Sequence, residues 1–235
     1  MIKEEYSRLA LLIGQENINT IAKLKIAVFG LGGVGGYVVE ALSRCGVNNF
    51  DLIDDDVVNK SNINRQIIAT QNTIGIAKTE LFRQRILEIN PDAQINVFKE
   101  FYLPEKRDMF DFKQYDYVVD AIDTVTAKLD LIETCIKNDI PIISAMGCGN
   151  RLDPTQIRIG DVYKTKDDPL AKIMRRELKK RHINKLTVVY SLEKPIKPEL
   201  NLSDDRKRSL PGSSAFVPAS AGLAIASHII REAIK

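Results

Sequence analysis

A doubly wound, mainly parallel α/β sheet, with an N-terminal helical segment and a C-terminal appendage, is the fold the sequence predicts. Three observations carry it. Lys25-Ile-Ala-Val-Phe29 is a short apolar run ending directly in Gly30-Leu-Gly-Gly-Val-Gly-Gly36, the pattern of a strand turning into a helix. Four more apolar runs of strand length follow, separated by stretches of helical length; such alternation implies parallel strands joined by crossover helices. Two of the runs end in acids, and in sheets of this kind ligands bind outside the carboxyl ends of the strands.

In chain order, Leu9, Leu12 and Ile13, then Ile18 and Ile21, recur at helical spacing, so residues 1–24 read as N-terminal helix. Residues 25–149 form the central core of the domain. After the strand 25–29 and the glycines, Tyr37–Cys45 is a helix stopped by Gly46. Phe50–Ile53 is a second strand, ending in Asp54-Asp55-Asp56. Ala77–Ile89 is a helix halted by Asn90-Pro91. Ile95–Phe98 and Tyr117–Val119 are the third and fourth strands, the latter followed by Asp120 and Asp123. Leu129–Lys137 is a helix and Ile140–Ala145 the fifth strand. Residues 150–235 form a C-terminal part facing the substrate within the same single domain. It holds a basic helix at Lys172–Lys185, a polar, mobile loop with two prolines at Glu193–Arg208, and a closing helix at Phe216–Ile234.

With 235 residues the chain can bury the core of one large domain, and 44% hydrophobic against 28% charged residues excludes global disorder. A net charge of +3 neither requires nor forbids a nucleic-acid partner, so that question rests on local charge. Three cysteines without a CxxC disfavour a disulfide framework and a zinc site, and fit a reducing, cytoplasmic compartment. No signal peptide and no transmembrane stretch of about 18 apolar residues is found.

The glycines Gly30, Gly32, Gly33 and Gly35 make a GxGxxG turn. Glycine tolerates the backbone angles of the turn and lets N–H groups approach phosphate closely. Asp54, at the end of the next strand, stands where a ribose-binding carboxylate is expected. An NAD site shares this much. It has no need for the Asn62 and Arg65 that closely follow Asp54 and Asp56, whereas a triphosphate does: an arginine stabilises charge developing on departing pyrophosphate. Lys78, opening a helix after Gly75, adds a second point charge. Asp120 and Asp123 offer the hard oxygen donors that Mg²⁺ prefers. ATP and Mg²⁺ are therefore the expected cofactors, with no zinc and no NAD.

GxGGxGG, D-x-D-x-V-x-x-S-N-x-N-R-Q, G-x-x-K and D-A-I-D, between Tyr6 and Gly149, together resemble the adenylation domain of ubiquitin-activating enzymes and of bacterial activators of sulfur-carrier proteins. That resemblance, to a Rossmann-like fold, implies that Asp54 holds the ribose, that Asn62, Arg65 and Lys78 hold phosphates, and that Asp123 carries Mg²⁺. Asp56 counts with the same nucleotide-binding group. Glu5-Tyr6-Ser7-Arg8 resembles the family's R-Y-S-R segment, whose arginine crosses a homodimer into the neighbouring ATP site; Arg8 matches its second arginine and Glu5 departs from the first.

Further segments, among them Asn150-Arg-Leu-Asp153-Pro154, Asp161-Val-Tyr163, Met174-Arg-Arg-Glu-Leu-Lys-Lys-Arg181 and Pro211-Gly-Ser before Phe216-Val-Pro218, are similar to the tRNA threonylcarbamoyladenosine dehydratase family. This implies a tRNA substrate carrying threonylcarbamoyladenosine, and a cysteine-desulfurase or sulfur-acceptor partner of the kind some relatives have. The family typically has alanine where this chain has Cys148, which reads as a buried, inert thiol. His182 and His228 read as structural or exposed. Independently of the resemblance, Lys172, Arg175, Arg176 and Lys179 share one helical face, with Leu170, Met174 and Leu178 as an apolar stripe on another. Such a basic face neutralises tRNA phosphates.

The expected reaction is ATP-dependent cyclisation of the modified nucleoside through an acyl-adenylate. Two alternatives stand beside it: adenylation of the C-terminus of a small sulfur-carrier protein, and a non-catalytic, nucleotide-gated tRNA-binding module.

Overall fold

The computed structural model describes residues 3–200 and 211–235. Helices α1 (Ser7–Ile13) and α2 (Gln15–Lys23) precede β1 (Lys25–Phe29) and α3 (Gly35–Arg44). Then come β2 (Asn49–Ile53), α4 (Lys78–Ile89), β3 (Gln94–Phe98), β4 (Tyr117–Asp120), α5 (Val125–Lys137) and β5 (Ile142–Ala145). The C-terminal part supplies β6 (Ile157–Asp161), α6 (Pro169–Lys180), β7 (Thr187–Ser191) and α7 (Phe216–Ala233).

The sheet has seven strands in the order β3-β2-β1-β4-β5-β7-β6. All neighbours are parallel except β6, which runs antiparallel to β7. Every residue of β4 and β5 is buried, as expected of strands covered on both faces. One core packs Val38, Val39 and Leu42 of α3, Phe82 and Ile86 of α4, and Val217, Ala221 and Ile225 of α7 against the sheet. The other packs Leu131 and Ile132 of α5 and Met174 and Leu178 of α6, with an aromatic group of Phe29, Tyr102, Phe110 and Phe112. Chain order reverses between β1, which leads to β2, and β4; their carboxyl ends diverge there and leave a crevice.

Three local readings change. The N-terminal helix is broken at Gly14, whose φ of +85° is left-handed and separates α1 from α2. The basic helix starts at Pro169 and stops at Lys180 rather than spanning Lys172–Lys185. Asp168 Oδ1 accepts the Ala171 N–H to cap its start, and His182 at φ +57° turns the chain out of it. The C-terminal part contributes β6 and β7, which sequence periodicity did not resolve and which continue the same sheet. The predicted loop Glu193–Arg208 is described only to Leu200; the remainder lies outside the described residues.

Candidate active site

Gly30 closes β1 with φ +89°, and a Cβ there would lie 2.6 Å from the Ala121 carbonyl oxygen. Only glycine allows the ends of β1 and β4 to approach so closely. A Cβ on Gly35 would overlap the Gly30 carbonyl oxygen, so the turn Gly30–Gly35 folds back tightly on itself before α3 begins. Gly30, Gly32 and Gly33 line a cleft of about 580 Å³ at the carboxyl ends of β1, β2 and β4. That volume is in the range of small-molecule sites.

Asp54 sits at the mouth of β2. Its Oδ2 accepts the Leu31 N–H at 2.6 Å, which ties this acid to the glycine turn, and its Oδ1 accepts the Asp56 N–H at 2.9 Å. Burial raises the Asp54 carboxyl above its ordinary range, opposed by Lys78 and by the two backbone donors. Lys78 is buried at the start of α4; its Nζ donates to Asp56 Oδ2 at 2.6 Å and lies 3.6 Å from Asp54 Oδ1. Asp54 and Asp56 thus share one buried cation, and with Asp55 and Lys78 they line one wall of the cleft.

A short helical turn, Lys60–Asn62, presents the asparagine–arginine cluster. Asn62 Oδ1 accepts the Asn59 N–H at 3.0 Å, locking the turn. Arg65 Nη1 donates to Ser61 O at 2.8 Å and to Asn64 Oδ1 at 3.0 Å, and the residue forms no ion pair with any described residue. Burial without a counter-charge pulls its pKa down. Both Asn62 and Arg65 line the cleft, and Arg65 Cγ is within 3.5 Å of where a Gly33 Cβ would stand.

Asp123 is exposed at the far rim and accepts only a long 3.5 Å hydrogen bond, from the Thr124 hydroxyl. Asp120, expected beside it as a Mg²⁺ ligand, is not available for that role. It is fully buried, with Oδ2 2.9 Å from Lys128 Nζ and accepting the Ser144 hydroxyl at 2.5 Å. Lys128 Nζ also donates to Ile122 O at 2.9 Å, and the Ile122 N–H to Asp120 Oδ1 at 3.2 Å. This buried pair shapes the Ala121–Asp123 loop. Sequence reasoning passed over Lys128, and likewise Phe101 and Tyr102, which line the cleft together with Gln66 of the N-R-Q motif.

The remaining predicted residues lie elsewhere. Arg8 is exposed on α1 and does not line the cleft of its own chain. On α6, Lys172, Arg176 and Lys179 are exposed, whereas Arg175 turns inward and donates to Thr165 O at 3.0 Å; it leaves the open basic face. Cys148 is buried in the core, and burial pushes its thiol up to about 12. At pH 8 the thiolate fraction is then on the order of 10⁻⁴. Native protein should accordingly resist iodoacetamide at Cys148 until unfolded, and Cys148→Ala should keep full activity; peptide mass spectrometry and a rate assay check both. Among the described residues a larger hollow of about 730 Å³ opens at the amino ends of β4, β5 and β7, among Tyr117, Ile142, Leu186 and His228. It has neither the glycine turn nor the acid–cation group, which both line the carboxyl-end cleft.

Comparison with known proteins agrees with this fold. Residues 6–233 match the ThiF family. The chain is 40% identical over 241 residues to the tRNA threonylcarbamoyladenosine dehydratase of Bacillus subtilis, covering 98% of this chain and 95% of that protein. It is 35% identical to the Escherichia coli protein of the same name, covering 98% and 93%. Crystal structures of the E. coli dehydratase in complex with AMP and with ATP superpose with TM-scores of 0.89 and 0.90 at 34% and 33% identity. Each covers 100% of this chain and 97% of the other.

Proposed function

The chain belongs to the ThiF family, and we propose from that membership and from its cleft that it uses ATP to dehydrate threonylcarbamoyladenosine in tRNA to the cyclic form. One observation carries the reading. The cleft gathers the glycine turn, Asp54, Lys78, Asn62, Arg65 and Asp123, while no cysteine, serine or histidine is among the described residues lining it. Such a set suits binding and polarising a nucleotide, and the reading requires no covalent nucleophile from the protein.

The carboxylate of the threonyl group attacks the α-phosphorus of ATP, and pyrophosphate leaves. The acyl-adenylate is now a good electrophile, because AMP departs far more readily than oxide. A nitrogen or oxygen of the same modification attacks the acyl carbon, AMP leaves, and one water is lost from the nucleoside, its oxygen carried off on AMP. Asp54 orients the ribose, Arg65 and Lys78 offset charge on the phosphates, and Asn62 fixes the turn that presents Arg65. Asp123, with oxygen donors unclaimed by any cation of the described residues, would hold Mg²⁺, which neutralises phosphate charge when bound.

Incubation of tRNA bearing the linear nucleoside with protein, ATP and Mg²⁺ should remove the mass of one water from it, read by nucleoside mass spectrometry, and only when ATP is present. An unchanged nucleoside beside intact ATP binding would instead favour a carrier-protein substrate.

The reading includes tRNA contact by Lys172, Arg176 and Lys179 of α6. Replacing all three by alanine should raise KM for tRNA on the order of tenfold at low salt and flatten its salt dependence, with kcat retained. Steady-state kinetics at two salt concentrations would decide; an unchanged KM removes this face from the interface. The reading also includes a homodimer in which Arg8 enters the cleft of the second copy. Leu11 and Leu12, 87% and 82% exposed on the same helix, support an apolar contact there. A cytoplasmic location, with a cysteine-desulfurase or sulfur-acceptor partner, completes it. Among the described residues no helix is long and apolar enough to cross a membrane.

A further inference from the structure

The segment Pro211–Ser214, which leads into α7, is held from two sides. On one side is the exit of β5: the Asn150 N–H donates to Gly212 O at 2.7 Å, the Gly212 N–H to Asn150 Oδ1 at 2.6 Å, and the Ser214 hydroxyl to Arg151 O at 3.3 Å. Arg151 is itself 3% exposed. It donates to Glu193 O at 2.9 Å and to Gly147 O, joining the carboxyl ends of β5 and β7. On the other side is the nucleotide cluster: Asn64 Nδ2 donates to Ser213 O at 2.9 Å. The same amide, through Oδ1, accepts from Arg65 Nη1 at 3.0 Å. The amide is thus oriented by chemistry at both ends, with its acceptor facing the cation and its donor facing the carbonyl.

The segment reaches the cleft through Asn64, the neighbour of the lining residue Arg65. Just beyond it, the Cβ of Pro218 in α7 is 3.1 Å from where a Gly33 Cβ would stand, and Arg65 Cγ is 3.5 Å from the same point. The glycine turn, Arg65 and the start of α7 therefore meet at Gly33, and the strap of residues 211–214 is tied to this corner of the cleft through Asn64.

We propose that Asn64 is a positioning residue that couples Arg65, and through it ATP, to the strap Pro211–Ser214, so that phosphate binding sets the strap that flanks the substrate carboxylate. The inference rests on the dehydratase reading for the identity of that carboxylate, and on the geometry alone for the coupling. Asn64 touches neither reacting atom. It acts by hydrogen-bonding both groups through one amide.

Two variants test it. Asn64→Ala breaks the link, and Asn150→Gly loosens the strap from the side remote from ATP while keeping the left-handed backbone at position 150, where φ is +59°. In both, kcat at saturating tRNA should fall by on the order of 10- to 100-fold with ATP affinity unchanged, since misplacement rather than binding is affected. The double variant should be little worse than the worse single one, because both act on the same segment. Amide hydrogen exchange supplies a reading without substrate. ATP should slow exchange at Gly212–Ala215 in the parent protein and leave it unchanged in Asn64→Ala. Equal slowing in both, or an Asn64→Ala that weakens ATP binding but keeps kcat, overturns the coupling. Should the parent protein make no cyclic nucleoside while its strap still responds to ATP only through Asn64, the substrate assignment falls and the coupling stands.

Discussion

Replacing Arg65 by alanine is expected to lower tRNA-dependent pyrophosphate release on the order of 10²–10³-fold, the size of effect seen when one donor to a developing charge is removed. The guanidinium is steered by Ser61 O and Asn64 Oδ1, both neutral acceptors, and no carboxylate among the described residues cancels its charge. Its positive charge is thus available to phosphate. Holding a half-buried cation without a counter-charge opposes folding, as its lowered pKa indicates. The alanine variant should therefore melt no lower than the parent in the absence of ATP, and should lose most of the stabilisation that ATP confers. Arg65→Lys should fall between the two, since an ammonium keeps the charge but not the planar fork. Asp123→Ala is expected to abolish turnover in the same way with folding intact. Near-native turnover of purified Arg65→Ala or Asp123→Ala would remove that residue from the mechanism.

Lys128→Met should have the largest effect on stability. Lys128 and Asp120 are each fully buried, and their charges are matched at 2.9 Å. Methionine fills much of the lysine's volume but leaves the Asp120 carboxylate buried without its cation, while Ser144 and the Ile122 N–H remain as neutral donors. Removing one partner of such a pair costs about 3–5 kcal/mol. For a chain of this length that is a fall of roughly 6–20 °C in Tm. Adding Asp120→Leu should restore much of the loss, because with both charges gone no uncompensated ion is left. Calorimetry and urea unfolding of the two variants check this; a Lys128→Met protein as stable as the parent would mean that the carboxylate has found another partner. The single variant should also lose activity beyond its stability loss, because Lys128 Nζ holds Ile122 O, one residue before Asp123.

The nucleotide half of this site was legible because its determinants are local. Gly30, Asp54 and Lys78 lie at the ends of elements whose periodicity is plain, Arg65 follows Asp54 closely in the chain, and the turn that needs glycine announces itself as a run of glycines. Asp120 was misread because its role is set by a residue eight positions later, on the next helix; nothing in the sequence shows that Lys128 points back under the strand. β6 was missed because it is an edge strand pairing only with β7, and Ile157-Arg-Ile-Gly-Asp161 carries the charge and glycine that edges tolerate and buried strands do not. Arg175 looked like a member of the basic face by spacing alone. The backbone of the Thr165 turn, which spacing cannot reveal, draws it inward.

The strand order has a consequence for how this protein is made. β7 lies between β5 and β6 in the sheet but comes after both in the chain, and it joins β5 through only two residue pairs, Ser144 with Val188 and Ala145 with Val189. A nascent chain that has emerged as far as Ala145 can assemble five parallel strands, yet the outer edge of β5 stays open until some 45 more residues are synthesised, a few seconds at ordinary elongation rates. An unpaired apolar edge is a template for association with other chains. The interval between the synthesis of β5 and that of β7 is therefore the period in which a slowed or stalled ribosome would most expose this protein to aggregation.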